Sequence, residues 1–191
     1  MGVVDVHIPL MNSERAYGAV SQALHWLVAA LVVMQFVWAW RIQQLGLGRQ
    51  RFELVNEHKS FGLTILALLV LRLLWRYISP PPPFPAGMPR WERCAAAITH
   101  GVLYALLAAL PLVGWAMSSA AGYGASWFGL IHLPDLVAQD QDLMDRLQRL
   151  HALLAWALVL LVAGHVLAAL RHHFLKKDEV LRRMLPLWGR P

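Results

Sequence analysis

Four long apolar runs dominate the chain, separated by segments in which Arg, Lys, Pro and Gly collect. Each run is close to the roughly 20 residues a helix needs to cross about 30 Å of hydrocarbon. The pattern predicts helix 1 over Leu24 to Trp40, starting as early as Tyr17, and helix 2 over Leu54 to Tyr77. Helix 3 is expected over Trp91 to Met117, with a kink suggested by Pro111 and Gly114. Helix 4 has a polar start at Asp140 to Arg149 and an apolar body from Leu150 to Leu170. Between helices 2 and 3, Pro80, Pro81, Pro82, Pro83 and Pro85 cannot continue a helix and predict a stiff extended link. The link from Ser118 to Gln139 is rich in Gly and aromatics (Tyr123, Trp127, Phe128) and reads as a loop at the membrane interface. No internal repeat is evident. The expected fold class is an all-α membrane protein, a four-helix transmembrane bundle. An N-terminal cytoplasmic arm (1–16) precedes the bundle (17–175), and a basic cytoplasmic tail (176–191) follows it.

Composition agrees with this reading and removes others. Charged residues make up 15% of the 191 residues and hydrophobic ones 58%, whereas soluble domains carry about 25% charged residues. The net charge of +6 does not imply nucleic acid, because the basic residues flank the apolar runs, where they meet lipid headgroups. A single cysteine, Cys94, excludes an internal disulfide and a multi-cysteine metal site. Met1 to Ala23 contains Asp5, Pro9, Glu14 and Arg15 and lacks the compact apolar core of a signal peptide, so helix 1 is expected to insert directly and stay. Six of the seventeen Lys and Arg (Arg41, Arg49, Arg51, Lys59, Arg146, Arg149) fall on one side of the bundle and eleven on the side of the termini. The positive-inside rule then puts both termini in the cytoplasm.

Nine histidines are many for so apolar a chain, and five lie in or at the ends of the predicted helices: His25, His58, His100, His151 and His165. A polar ring facing lipid is costly, so each is either a functional group or polar glue between helices. The fourteen residues from His151 to His165 amount to about 1400° of helical rotation, some 40° short of four turns, and about 21 Å of rise. Both rings therefore leave one face of helix 4 near opposite membrane surfaces, as the axial ligands of two stacked haems would. Helix direction gives the partners. His25 begins helix 1 at the inner level with His165, and His58 begins helix 2 at the outer level with His151. These pairs are expected to hold the inner and outer haem irons. His100 sits at the inner level, where three roles stay open: replacing His25 as ligand, lining a quinone pocket, or bonding a neighbouring carbonyl. His132 in a loop and His7 in the arm read as solvated, and His172 and His173 close helix 4, where a cation suits the helix dipole. Arg72, fourteen residues after His58, could meet a haem propionate or a quinone oxygen, or simply snorkel to the interface.

These residues resemble the bacterial di-haem cytochrome b561 family, within the wider group of four-helix membrane cytochromes b. The likeness runs from Tyr17 to Pro186. It rests on His25-Trp26, the EHKSFG around His58, LRLLWR with its proline-rich link, and THGVLYALLAALPLVGW of helix 3. The His151/His165 pair and the closing RHHFLKKDEVLRRMLP complete it. The resemblance implies two haems b, each held by two histidines, and electron exchange with ubiquinone. A superoxide:ubiquinone oxidoreductase is understood to exist in this family, oxidising superoxide on the periplasmic face, and there the residue matching His172 lies close to the quinone. The arm from Met1 to about Ala16 is longer than this family leads one to expect.

The function expected is therefore di-haem electron transfer between a small periplasmic donor such as superoxide and ubiquinone bound near the inner haem by Arg72, His100, Arg171 and His172. The six cations of the outer face would draw in an anionic donor. An alternative is the haem b membrane anchor of a hydrogenase or formate dehydrogenase, which the short loops disfavour for want of docking surface. A transporter using histidines for protons or metal ions fits four unrepeated, unbroken helices poorly.

Overall fold

The computed structural model describes residues 9–185. The expected solvation of His7, the first half of the predicted arm (1–8) and the end of the predicted tail (186–191) lie outside the described residues. Helix α1 spans Ala19–Gln44, α2 Arg49–Ile78, α3 Arg90–Ala120 and α4 Gln141–Arg171. All four are long and apolar enough to cross a membrane. They extend past the purely apolar runs because their charged ends are still helical. In α2 the first turns carry Arg49, Arg51 and Glu53, with Arg49 and Glu53 paired at 2.7 Å one turn apart. The α3 helix continues through Pro111. Asp140 caps α4 by accepting from the Leu143 amide at 3.0 Å.

Backbone packing is closest between α3 and α4, α1 and α2, and α2 and α3, whereas α4 meets α1 and α2 chiefly through side chains. The apolar core (Val28, Leu31, Val32, Ile65, Leu106, Leu158) draws on all four helices. It lies at mid-height along each of them. Most other large apolar side chains, such as Val33, Leu73, Leu153, Leu160 and Leu167, face outward. That inversion is what a lipid solvent permits.

The α3–α4 link differs from the expected loop. It contains an antiparallel hairpin, β1 (Ala125–Trp127) and β2 (Ile131–Leu133), so His132 lies in a strand and is exposed. Gly122, Gly124, Phe128 and Gly129 take positive φ to make its turns. The hairpin is pinned to α2: Phe128 N donates to Ser60 Oγ at 3.0 Å and Trp127 Nε1 to Thr64 Oγ1 at 3.0 Å.

At the opposite end the chain is stitched to itself. Asn12 donates through its backbone to Ser79 Oγ (2.8 Å) and through its side chain to Ser79 O (2.7 Å), and accepts from Gly18 N (2.9 Å). Gly18 has no room for a Cβ, which would stand 2.4 Å from Leu10 and Met11 backbone atoms. The tail returns to the same place. Arg183 O accepts from Tyr17 N (3.3 Å) and Gln22 Nε2 (3.2 Å), and Met184 O accepts from Trp26 Nε1 (2.8 Å).

Candidate functional site

The inward strip of α4 repeats every seven residues: His151, then Leu158, the buried residue of this helix, then His165. Seven residues are 20° short of two turns, so the strip keeps to one face while rising about 10.5 Å per step. On α2 the same step links His58, Ile65 and Arg72, with Ile65 at 4% exposure. Each helix thus presents polar groups at two levels with an aliphatic residue between.

The structure brings His25 beside His165 and His58 beside His151, with ring centroids 6.4 Å apart in each pair and the planes turned by 66° and 69°. Two imidazoles bound through opposed nitrogens to one metal at roughly 2 Å place their centroids about 6.3 Å apart. Both pairs therefore have the centroid spacing of two imidazoles on one metal. The Nδ1 atoms of His58 and His151 are buried with no hydrogen-bond partner. The imidazoles of His100 and His151 each have a backbone neighbour within hydrogen-bonding reach, Ala96 and Leu110 respectively. Gly114 faces His151, and Gln35 donates to the His58 carbonyl at 2.9 Å. Groups of three or more His, Cys, Asp or Glu able to hold a bare metal ion are absent among the described residues. The histidines come as pairs, which suits haem iron, whose other four bonds belong to the macrocycle.

Three further groups surround the His25–His165 pair. Arg72 Nη1 lies 3.0 Å from His25 Nδ1, and its guanidinium stands 5.8 Å from the Tyr104 ring centroid. The His100 ring lies 5.4 Å from that of His165, nearer than His25. His100 is thus a neighbour of the pair.

Arg171 and His172 belong to a different constellation, so the quinone set expected from the sequence divides in two. Past Arg171 the helix widens into a π-helical turn, His172–Lys176. His172 is buried at 9% exposure, with Nδ1 against Asp178 Oδ2 and Nε2 3.9 Å from Glu92 Oε2. Glu92 in turn binds Lys176 at 2.6 Å and Arg171 at 3.2 Å. A cavity of about 270 Å³ opens here, lined by Pro85 to Met88, Glu92, His172, Lys176 and Asp178. Sequence reasoning did not find Glu92, Tyr104, Asp178 or Gln35. A lone acid between Arg90 and Arg93 was the available signal for Glu92.

At the hairpin end, Lys59 follows His58 and points to neutral oxygens, Ser118 Oγ at 3.2 Å and Gly124 O at 3.3 Å. Arg51 donates to Leu45 O at 2.9 Å, and Arg149 lines a shallow cleft with Asp145 and Gln148. Arg49, by contrast, has its charge met by the Glu53 carboxylate.

The family described as prokaryotic cytochrome b561 matches residues 16–187. The chain is 39% identical over 176 residues to cytochrome b561 homolog 2 of Escherichia coli (strain K12), covering 91% of this chain and 93% of that protein. It is 34% identical over 178 residues to a Yersinia pestis protein named "Probable superoxide oxidase CybB", covering 91% and 97%. It is 27% identical over 180 residues to cytochrome b562 of Cereibacter sphaeroides, covering 92% and 98%. A four-helix membrane bundle, paired histidines and matches that run nearly end to end agree with one another, and the chain belongs to the prokaryotic cytochrome b561 family of haem b membrane electron-transfer proteins.

Proposed function

We propose that this chain is a di-haem oxidoreductase of the bacterial inner membrane, passing electrons from a small periplasmic donor to ubiquinone. His25 and His165 would hold the inner haem b, and His58 and His151 the outer one. The observation that carries this reading is the equal 6.4 Å separation of the two pairs, fourteen residues apart on α4. Haem b supplies one-electron chemistry at iron when bound. The protein's part is to fix the ligand rings: Gly114 leaves space for His151. Arg72 stands 3.0 Å from His25 Nδ1, and Leu158 with its core neighbours keeps water from the zone between the two levels.

Superoxide is the donor this reading favours. Lys59, Arg51 and Arg149 lie at the hairpin end with no carboxylate bound to them among the described residues. A cationic face raises the encounter rate of an anion. A relative carries the name "Probable superoxide oxidase CybB". Two superoxide ions would each give up one electron and leave as dioxygen. Ubiquinone would take both electrons with two protons and leave as ubiquinol.

The deciding experiment is haem stoichiometry by pyridine haemochrome against protein mass, on the wild type and on His25→Ala and His151→Ala. Two haems per chain are expected in the wild type. In His151→Ala the redox transition of the outer haem is expected to vanish, and in His25→Ala that of the inner haem is expected to fall. A ratio near one in fully loaded wild type, or loss of the same transition in both variants, overturns the assignment.

A further inference from the structure

Gln35 is the one side-chain amide that α1 carries between Trp26 and Trp40, a stretch otherwise apolar. An amide at that depth of a membrane helix is costly unless its polar atoms are met. Its Nε2 is met: it donates to the His58 carbonyl at 2.9 Å, from 23 residues away in sequence. That carbonyl also belongs to the ladder of α2, where it faces the amide of Gly62 one turn on. Gly62 makes the approach possible, because a Cβ there would stand 3.2 Å from Gln35 Nε2 and press the amide away. Gln35 is thus seated on the turn of α2 that bears the outer histidine.

The other half of the amide is not met. Gln35 Oε1 is buried without a hydrogen-bond partner, and so is Nδ1 of His58. Among the described residues, Oε1 is the sole buried side-chain oxygen left in that state. It is an acceptor that lacks a donor. The ring, when neutral and bound to a metal through Nε2, carries its proton on Nδ1 and lacks an acceptor. Histidines on metals almost always give that second N–H to an oxygen. The two orphaned atoms are complementary, and they belong to residues that the Nε2 bond already joins. The inner level is built differently, with the Arg72 cation 3.0 Å from His25 Nδ1.

We propose that Gln35 is a positioning residue for the outer haem: its Oε1 accepts the Nδ1 proton of His58 when that ring binds iron through Nε2. The proposal rests on the reading above that His58 and His151 hold a haem. An acceptor at Nδ1 makes the imidazole a stronger donor and favours the oxidised, more positive iron. Gln35 thereby lowers the outer potential by acting through His58. The same bond fixes the ring's orientation, since the amide is anchored on the backbone of the residue it orients. The cation beside His25 acts in the opposite sense at the inner level. Electrons move toward the higher potential, so the two neighbours together favour passage from the outer level to the inner one.

The test is redox titration of the full-length, haem-loaded protein as wild type, Gln35→Leu and Gln35→Glu. Leucine removes donor and acceptor together, whereas glutamate replaces the amide nitrogen and keeps an acceptor oxygen at the same reach. Gln35→Leu is expected to raise the reduction constant of the outer haem about tenfold, equivalent to about 59 mV for one electron. The inner transition should stay in place. Gln35→Glu is expected to hold the outer midpoint at or below that of the wild type. A residue that merely ties α1 to α2 would give like results in both variants, because both lose the amide N–H. An equal rise in the two, or an unmoved outer midpoint in Gln35→Leu, overturns the proposal. Where Gln35→Leu sheds the outer haem, retention of that haem in Gln35→Glu is expected, and its loss there too refutes the acceptor role. A single haem transition in the wild type would refute the underlying pair of haem sites instead.

Discussion

Gly114 of α3 lies against the imidazole of His151: a Cβ at that position would stand 3.4 Å from Cε1 and 3.6 Å from Nδ1. Those are ordinary contact distances, so one methyl group is tolerable and a branched side chain is not. Gly114→Ala is expected to retain both haems. Gly114→Leu should push the His151 ring from its place opposite His58 and lose the outer haem alone. Haem-to-protein ratio and redox titration of the two variants read the outcome. Full loading in Gly114→Leu would show that His151 does not need the position it occupies here.

His100 offers a second test at the other level. Its ring lies 5.4 Å from His165, as against 6.4 Å for His25, so a movement on the order of 1 Å would set it opposite His165 at ligand spacing. His25→Ala is therefore expected to keep a fraction of its inner haem with an altered absorption band. Adding His100→Ala should abolish that fraction. Equal inner-haem content in the single and double variants would remove His100 from ligand rescue.

Arg72 bears on the potential of the inner haem. Its cation sits 3.0 Å from the Nδ1 of His25 and disfavours the more positive, oxidised state of a metal held there. Arg72→Gln is expected to lower the midpoint of the inner haem by tens of millivolts, where about 59 mV is tenfold for one electron. The outer haem should not move. A midpoint that rises or stays fixed would separate Arg72 from the inner site.

Sidedness is tested independently of the cofactor. Along the sequence, eleven of the seventeen basic residues fall on the side of the termini. A C-terminal alkaline phosphatase fusion is expected to be inactive and a green fluorescent fusion bright. The opposite pattern would exchange the donor and quinone sides.

The helices were legible because lipid-spanning runs are long and the histidine strip of α4 repeats at seven residues, a period that helix geometry converts directly into one face and two levels. The same arithmetic pairs His100 with Gly114 on α3, fourteen apart, but a glycine announces space only once its neighbour is known. The hairpin was not legible. Its strands are three residues each, too short for alternation to register, and its anchors Ser60 and Thr64 lie more than sixty residues away in sequence. Glu92 escaped for the same reason: Arg171 and Lys176 join it across 79 and 84 residues, and no local pattern encodes such a pair.

The stitching at the terminal end has a consequence for biosynthesis. Tyr17, Gln22 and Trp26 stand at the entrance of α1 and leave the ribosome early, yet their bonding partners are Arg183 and Met184, among the last of the described residues to be made. Asn12 likewise waits for Ser79. The first helix must therefore remain in the bilayer with these groups uncommitted until the segment after α4 has been made. Closure of this end follows the making of all four helices, and a nascent chain arrested before Arg183 would carry four inserted helices and still be open here.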